Sequence, residues 1–231
     1  MATESAQEFY GRWARLYDLI ARRTPGIAHL RKRAAAACRL EPGDTVVEMG
    51  CGTGANLPYL LEQVGPTGSV IGIDFTRPVL ERARAATAEY DNVFILQGDA
   101  TQPPISEPVR AGLTDSNGID AVLATFVVGM LEDPAGAVAD WCDLVSSDGT
   151  IVLANAARSE EWYAPPVNAI FRSIVVLSTP PTTRLRYEND PHIRLDEKID
   201  AAHARLRERA VAIADETHVF GVIRLTGGQL E

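Results

Sequence analysis

The apolar positions of this chain alternate between short β-branched runs and longer amphipathic ones. Residues 4–22 set Phe9, Trp13, Leu16 and Ile20 near a 3.6-residue spacing and predict a helix. Thr24-Pro25-Gly26 breaks it, and Ile27 to Leu40 predicts a second, basic and alanine-rich helix. After the turn at Glu41-Pro42-Gly43-Asp44 a regular alternation begins. Thr45 to Met49, Ser69 to Asp74, Val93 to Gln97, Ile119 to Thr125 and Thr150 to Ala154 read as strands buried on both faces. Between them, Ala55 to Val64, Pro78 to Tyr90 and Pro134 to Val145 read as helices. Pro58 and Pro78 fall in first turns, where a missing N–H costs little. Residues 101–117 carry three prolines and predict a loop, and Asp148-Gly149 a turn before the fifth strand. Strands and helices in this rhythm imply a parallel sheet covered on both faces.

After Ala157 the pattern changes. Glu160 to Pro181 mixes aromatics and prolines with the very apolar stretch Val167 to Leu177. Leu195 to Val211 predicts a charged amphipathic helix, and Thr217 to Phe220 and Val222 to Thr226 predict two last strands around Gly221.

At 231 residues and 25.0 kDa the chain suits one α/β domain rather than two catalytic ones. Its 46% hydrophobic and 23% charged residues exclude disordered, collagen-like and coiled-coil readings. A net charge of -9 and a pI of about 5.0 argue against broad phosphate-driven nucleic-acid binding. Lys32 and Lys198 are the only lysines, an acidic, arginine-for-lysine composition that suggests a GC-rich, salt-adapted source. Cys38, Cys51 and Cys142 are odd in number and widely spaced, so they form neither a disulfide framework nor a metal spacing. No apolar signal core opens the chain, and no run of about 18 apolar residues occurs. A cytoplasmic protein without a transmembrane segment is expected.

The chemistry gathers after the first strand, at Glu48-Met49-Gly50-Cys51-Gly52-Thr53-Gly54. Alternating glycines between a buried strand and a helix permit a tight turn and close approach of a ligand to the backbone. The following helix start offers free N–H groups. The second strand ends in Asp74, 20 residues beyond Gly54, where an acid can accept both hydroxyls of a ribose. These features point to a nucleoside-containing cofactor. A dinucleotide site prefers G-x-G-x-x-G, but Ala55 occupies the last glycine's place. Glu48 would repel a pyrophosphate and suits an amino-acid ammonium.

The string Val46-Val47-Glu48-Met49-Gly50-Cys51-Gly52-Thr53-Gly54 resembles motif I of the class I S-adenosylmethionine-dependent methyltransferases. Gly98-Asp99-Ala100, Ile119-Asp120-Ala121-Val122-Leu123, Leu131-Glu132-Asp133-Pro134 and Asp148-Gly149-Thr150-Ile151-Val152 fit that family's later segments, so the likeness covers residues 40–157. It implies an α/β, Rossmann-like fold with a seven-stranded, mostly parallel sheet and an antiparallel terminal strand. It also implies N-terminal lid helices over 1–40, a cofactor-binding core over 41–157, an insertion at 158–193 lining the acceptor site, and a last helix and hairpin over 194–231. The cofactor is then S-adenosyl-L-methionine, contacted by Tyr17, Glu48, Gly50, Gly52, Asp74, Phe75, Asp99, Ala100 and Thr125. Phe75 stacks beside the adenine or packs beneath the sheet. A nicotinamide-dependent oxidoreductase and a non-catalytic protein of the same fold stay open as alternatives.

The acceptor is narrowed by what is missing. Methylation of nucleobase amines or protein amides goes with an Asn/Asp-Pro-Pro-aromatic run after strand four, and this chain has Thr125-Phe126-Val127-Val128 there. Cytosine C5 methylation needs a thiolate, and Cys38 and Cys142 are not placed for it. These absences argue against a nucleic-acid substrate. The segments Phe9 to Asp18, Gly26 to Arg33 and Phe220 to Leu225 are similar to those of quinone-ring C-methyltransferases and phospholipid N-methyltransferases. That resemblance implies a small or lipid-like acceptor, with Tyr10 and Trp162 on its side of the site and no catalytic residue assigned. Tyr10, Trp13 and Tyr17 line a lid or form a helix's buried face. His29 is a base or a surface residue. Residues 160–181 form an acceptor pocket or membrane-contacting helix, or else pack in the core or against a second copy.

Overall fold

The apolar runs assemble into one seven-stranded sheet: β1 (Thr45–Met49), β2 (Ser69–Asp74), β3 (Val93–Gln97), β4 (Ile119–Thr125), β5 (Val145–Ala156), β6 (Ala212–His218) and β7 (Ile223–Gln229). The computed structural model describes residues 26–105, 118–178 and 191–231. The helix predicted over 4–22, with Tyr10 and Tyr17, lies outside them.

The strand order is β3-β2-β1-β4-β5-β7-β6. Every neighbouring pair is parallel except those of β7, which runs antiparallel to both β5 and β6. The chain leaves β1 toward β2 on one side and later returns to β4 on the other. The ends of β1 and β4 therefore border the crevice where an open α/β sheet binds ligands.

All five residues of β1 are buried, which accounts for its lack of polar alternation. On one face, Val46, Val70, Leu123 and Val152 pack with α1 (Ile27–Ala37), α2 (Leu57–Val64) and α3 (Arg77–Ala86). On the other, Val47, Met49, Ile71, Ile73 and Leu153 pack with α4 (Pro134–Leu144) and α6 (Pro191–Arg209). Trp141 of α4 is fully buried there. Between β5 and α6, α5 (Ala164–Ser178) buries Ala164 and Phe171 and leaves Ile170 exposed.

The last three strands differ from expectation. β5 begins at Val145, because Val145 pairs with Ile119 before the register jumps to Ala121 opposite Thr150. The expected Asp148-Gly149 turn is thus a bulge inside the strand, with Asp148 at φ 64. β6 and β7 are longer than their apolar signal and meet at Val219, Phe220 and Gly221, all with positive φ. β6 is an exposed edge strand held by its ladder to β7, so burial leaves little pattern in its sequence.

Candidate functional site

β1, β2 and β4 end on one edge of the sheet, and the glycine turn fills the space between them. Cys51 N–H donates to the Ile73 carbonyl at 2.9 Å, which ties the turn to β2. Gly50 has φ +70, and a Cβ there would stand 2.1 Å from Val127 Cγ2. Backbone hand and close packing both require glycine at that point. Gly52 has φ +54 and faces the opposite situation, with no atom within 4 Å of an added Cβ. It opens a cradle that a ligand can enter.

Asp74 closes the turn from the β2 side. Its Oδ2 accepts the Gly52 N–H at 3.0 Å, and its Oδ1 accepts the Thr76 N–H at 2.7 Å. Burial raises its pKa, and the backbone donors pull it back. The carboxylate is thus preset beside the cradle, with lone pairs remaining for a hydroxyl.

Glu48 is the second acid, and it is 1% exposed. Asn56, just before α2, donates from Nδ2 to Glu48 Oε1 at 2.5 Å and to Thr125 Oγ1 at 2.9 Å. One amide thereby joins the ends of β1 and β4. Burial pushes the Glu48 carboxyl up to about 8, against the opposing pull of Asn56 and Arg31. Glu48 Oε2 and Asn56 Oδ1 are buried without any hydrogen-bond partner. An unsatisfied buried acceptor costs about 1–3 kcal/mol, so this pair calls for a donor.

The loop after β3 supplies the third wall. Asp99 is exposed, and its Oδ1 accepts from Thr101 N–H and Oγ1–H at 2.8 Å each. Trp141 Nε1–H donates to the Ala100 carbonyl at 2.7 Å and pins this loop to α4. Phe75 is 46% exposed at the same edge, so it does not pack beneath the sheet. Phe126 and Met130 are also exposed, and Phe126 has φ 59 with its N–H on the Ala154 carbonyl at 2.8 Å. A non-glycine residue in this strained conformation stands directly after Thr125.

A family model described as a methyltransferase domain matches residues 47–151, the stretch that builds this edge. Over this stretch the chain is similar to class I S-adenosylmethionine-dependent methyltransferases. Demethylmenaquinone methyltransferase of Staphylococcus aureus is 33% identical over 112 residues, 47% of this chain and 46% of that protein. The chain thus spans less than half the length of the curated relatives it matches. Two solved structures share the fold. One is a SAM-dependent methyltransferase from Aquifex aeolicus (TM-score 0.55, 18% identity, 90% of this chain and 94% of that one). The other is a geranyl diphosphate methyltransferase in complex with SAM (TM-score 0.58, 12% identity, 88% and 85%).

S-adenosylmethionine is the methyl donor that this likeness implies, and the residues present fit it. Two orphaned oxygens suit an ammonium, a preset carboxylate suits ribose hydroxyls, and the Gly52 cradle admits the chain between them. The methyltransferase edge thus brings together Glu48, Gly50, Gly52, Asp74 and Thr125, with Phe75, Asp99 and Ala100 on the neighbouring loops.

Trp162 follows the carboxyl end of β5 by six residues. It is 90% exposed and meets Tyr163 edge to face at 5.4 Å. The adjoining segment is anchored to the β7 side, through Arg224 with Glu160 and Ser159 beside Gly221. His29 is exposed and meets His218 edge to face, on the β6 side of the sheet. Asn56 and Trp141 were not legible as site residues. Asn56 reads as one more polar residue at a helix start, and Trp141 as one more core aromatic. Only the polar exception in the apolar stretch around Leu57 hinted at Asn56.

Proposed function

We propose that this chain transfers the methyl group of S-adenosylmethionine to a small or lipid-like acceptor, such as a quinone ring carbon or a phospholipid amine. The observation that carries it is the pair of acids at the β1–β2 edge. Asp74 is held against the Gly52 cradle, and Glu48 is buried with an unpartnered oxygen. In this reading Asp74 takes the ribose, Glu48 and Thr125 the amino-acid end, and Phe75, Asp99 and Ala100 the adenine. Tyr17, outside the described residues, is assigned to a lid over the cofactor, whereas α1 (Ile27–Ala37) of the expected lid packs on the sheet.

The donor supplies a methyl on a sulfonium, which leaves as a neutral thioether. The protein then has to hold the acceptor atom within about 3–3.5 Å of the methyl and keep water out. The exposed apolar side chains Phe126 and Met130 beyond Thr125 suit an acceptor with an apolar body. The staphylococcal relative's name supports a quinone among the candidates. Tyr10 and Trp162 are the aromatic residues assigned to the acceptor side.

Calorimetric titration with S-adenosylmethionine tests the donor. Wild type should bind at micromolar concentration, and Asp74→Ala should lose at least tenfold in affinity. Absence of wild-type binding overturns the proposal. Methyl incorporation from labelled donor into quinones, phospholipids and small amines then sorts the acceptors.

A further inference from the structure

Asn56 has no role in the reading above, yet it sits at the junction of the site. It is 6% exposed, reaches two strand ends with one NH2 group, and leaves its own carbonyl oxygen without a partner. That oxygen and Glu48 Oε2 are the buried side-chain acceptors lacking a hydrogen bond among the described residues. Both belong to one Glu48–Asn56 unit at the β1–β4 crevice. A purely structural polar cluster closes on itself, because each open acceptor in a low dielectric destabilises the fold. This one is open on two oxygens, Asn56 Oδ1 and a Glu48 oxygen that becomes a pure acceptor once the carboxyl ionises.

We infer that Asn56 is a positioning residue that presents its own Oδ1 together with Glu48 Oε2 to the α-ammonium of the donor, and that Glu48 must release its proton for the cation to be held. The inference rests on the donor assignment proposed above and adds a residue and a linked proton to it.

The charge balance supports the proton step. An ionised Glu48 without a cation would leave a buried carboxylate oxygen unsatisfied, so the ligand-free protein keeps it neutral. The groups around it do not remove that need. Arg31 on α1 pulls the carboxyl down, Asp74 at the end of β2 pushes it up, and burial outweighs both. The neighbouring thiols Cys38 and Cys51 are themselves pushed up by burial and stay neutral. Thr125 and the Asn56 amide favour the ionised form by hydrogen bonding. A cation arriving at Oε2 adds the missing opposite charge, and one proton leaves to solvent. With the free carboxyl at about 8, nearly a full proton is released at pH 6.5.

The test is calorimetry with S-adenosylhomocysteine, which carries the same ammonium and cannot transfer a methyl. Titrations at pH 6.5 in two buffers of different ionisation enthalpy count the protons exchanged. Wild type should release close to one proton. Its affinity should rise up to tenfold per pH unit toward pH 8 and then level off. Glu48→Gln should exchange no proton and show no such slope. Asn56→Ala should bind more weakly and move the levelling point to higher pH, because Glu48 loses a donor that favours its ionised form. The deaminated analogue of the ligand should bind without proton release. Binding by wild type with no proton exchange and a flat pH profile overturns the inference while leaving the donor assignment standing. Unchanged affinity and proton count in Asn56→Ala overturn the role of Asn56. No binding by wild type at any pH instead removes the donor assignment beneath it.

Discussion

Two buried polar clusters flank this sheet, and they are built on opposite principles. One lies between α6 and the β5–β7–β6 end, around His203. Asn155 Nδ2 lies 3.3 Å from His203 Nε2, and His203 Nδ1 lies 2.8 Å from Thr226 Oγ1. Thr226 Oγ1–H donates on to Asp215, which Arg207 holds from the other side. The direction of donation is self-consistent: amide to Nε2, Nδ1–H to hydroxyl, hydroxyl to carboxylate. Burial, assisted by Arg207 and Arg224, drives the His203 pKa down to about 4, so the ring is neutral. The other cluster is Glu48–Asn56–Thr125, which ends in two orphaned oxygens. None of His203, Asn155 and Thr226 has such an atom. A closed network serves the fold, and an open one waits for a ligand.

The largest effect is expected where the open cluster meets its rigid base. Gly50→Ala combines a left-handed backbone with a collision against Val127, and should destabilise the protein by about 2–5 kcal/mol in denaturant titrations. A loss below about 1 kcal/mol would mean that the turn yields and is not a fixed base.

His203→Ala should break the closed cluster next. Removing it leaves the Asn155 amide and the Thr226 hydroxyl short of a partner, for a loss of about 2–4 kcal/mol. Ligand affinity should stay within twofold. A large affinity loss would erase the distinction between the two regions.

The two clusters also respond oppositely to pH. His203 has a folded pKa below its ordinary value of 6.5, so its contribution is complete above 6.5 and disappears as pH falls toward 4. Glu48 has a folded pKa above its ordinary 4.5, so the ligand-free fold weakens as pH rises from 4.5 to 8. Between pH 4.5 and 6.5 the two slopes oppose each other. Glu48→Gln should remove the alkaline loss and stabilise the ligand-free protein at pH 7 by on the order of 3 kcal/mol. Its Tm against pH checks this; a fall in Tm at pH 8 relative to wild type contradicts it.

The smallest effect marks the background. Arg77 and Glu81 form an exposed i,i+4 pair on α3, and Glu81→Ala should change stability by no more than about 0.5 kcal/mol.

The central strands were legible because burial on both faces leaves unbroken β-branched runs. β1, β2, β3 and β4 begin and end where those runs do. β5 was shortened because Asp148-Gly149 signals a turn, while the pairing of Val145 with Ile119 carries the strand past it. β6 was displaced because an edge strand facing solvent needs no apolar alternation. The glycine turn and Asp74 were legible through spacing, since backbone hand and ligand approach restrict residue type locally. Asn56 was not, because its importance comes from Glu48 eight residues earlier and Thr125 sixty-nine residues later.

By itself, the sequence determined the alternation of strands and helices, the glycine turn with its two acids, and hence the likeness to methyltransferases. These follow from local physics: periodicity, backbone freedom and charge within a short span of chain. Only the tertiary structure decided that Glu48 is buried with an open oxygen and that Asn56 bridges β1 and β4. Those facts depend on which distant segments exclude water from one another, and desolvation is a property of the packed molecule rather than of any residue in it.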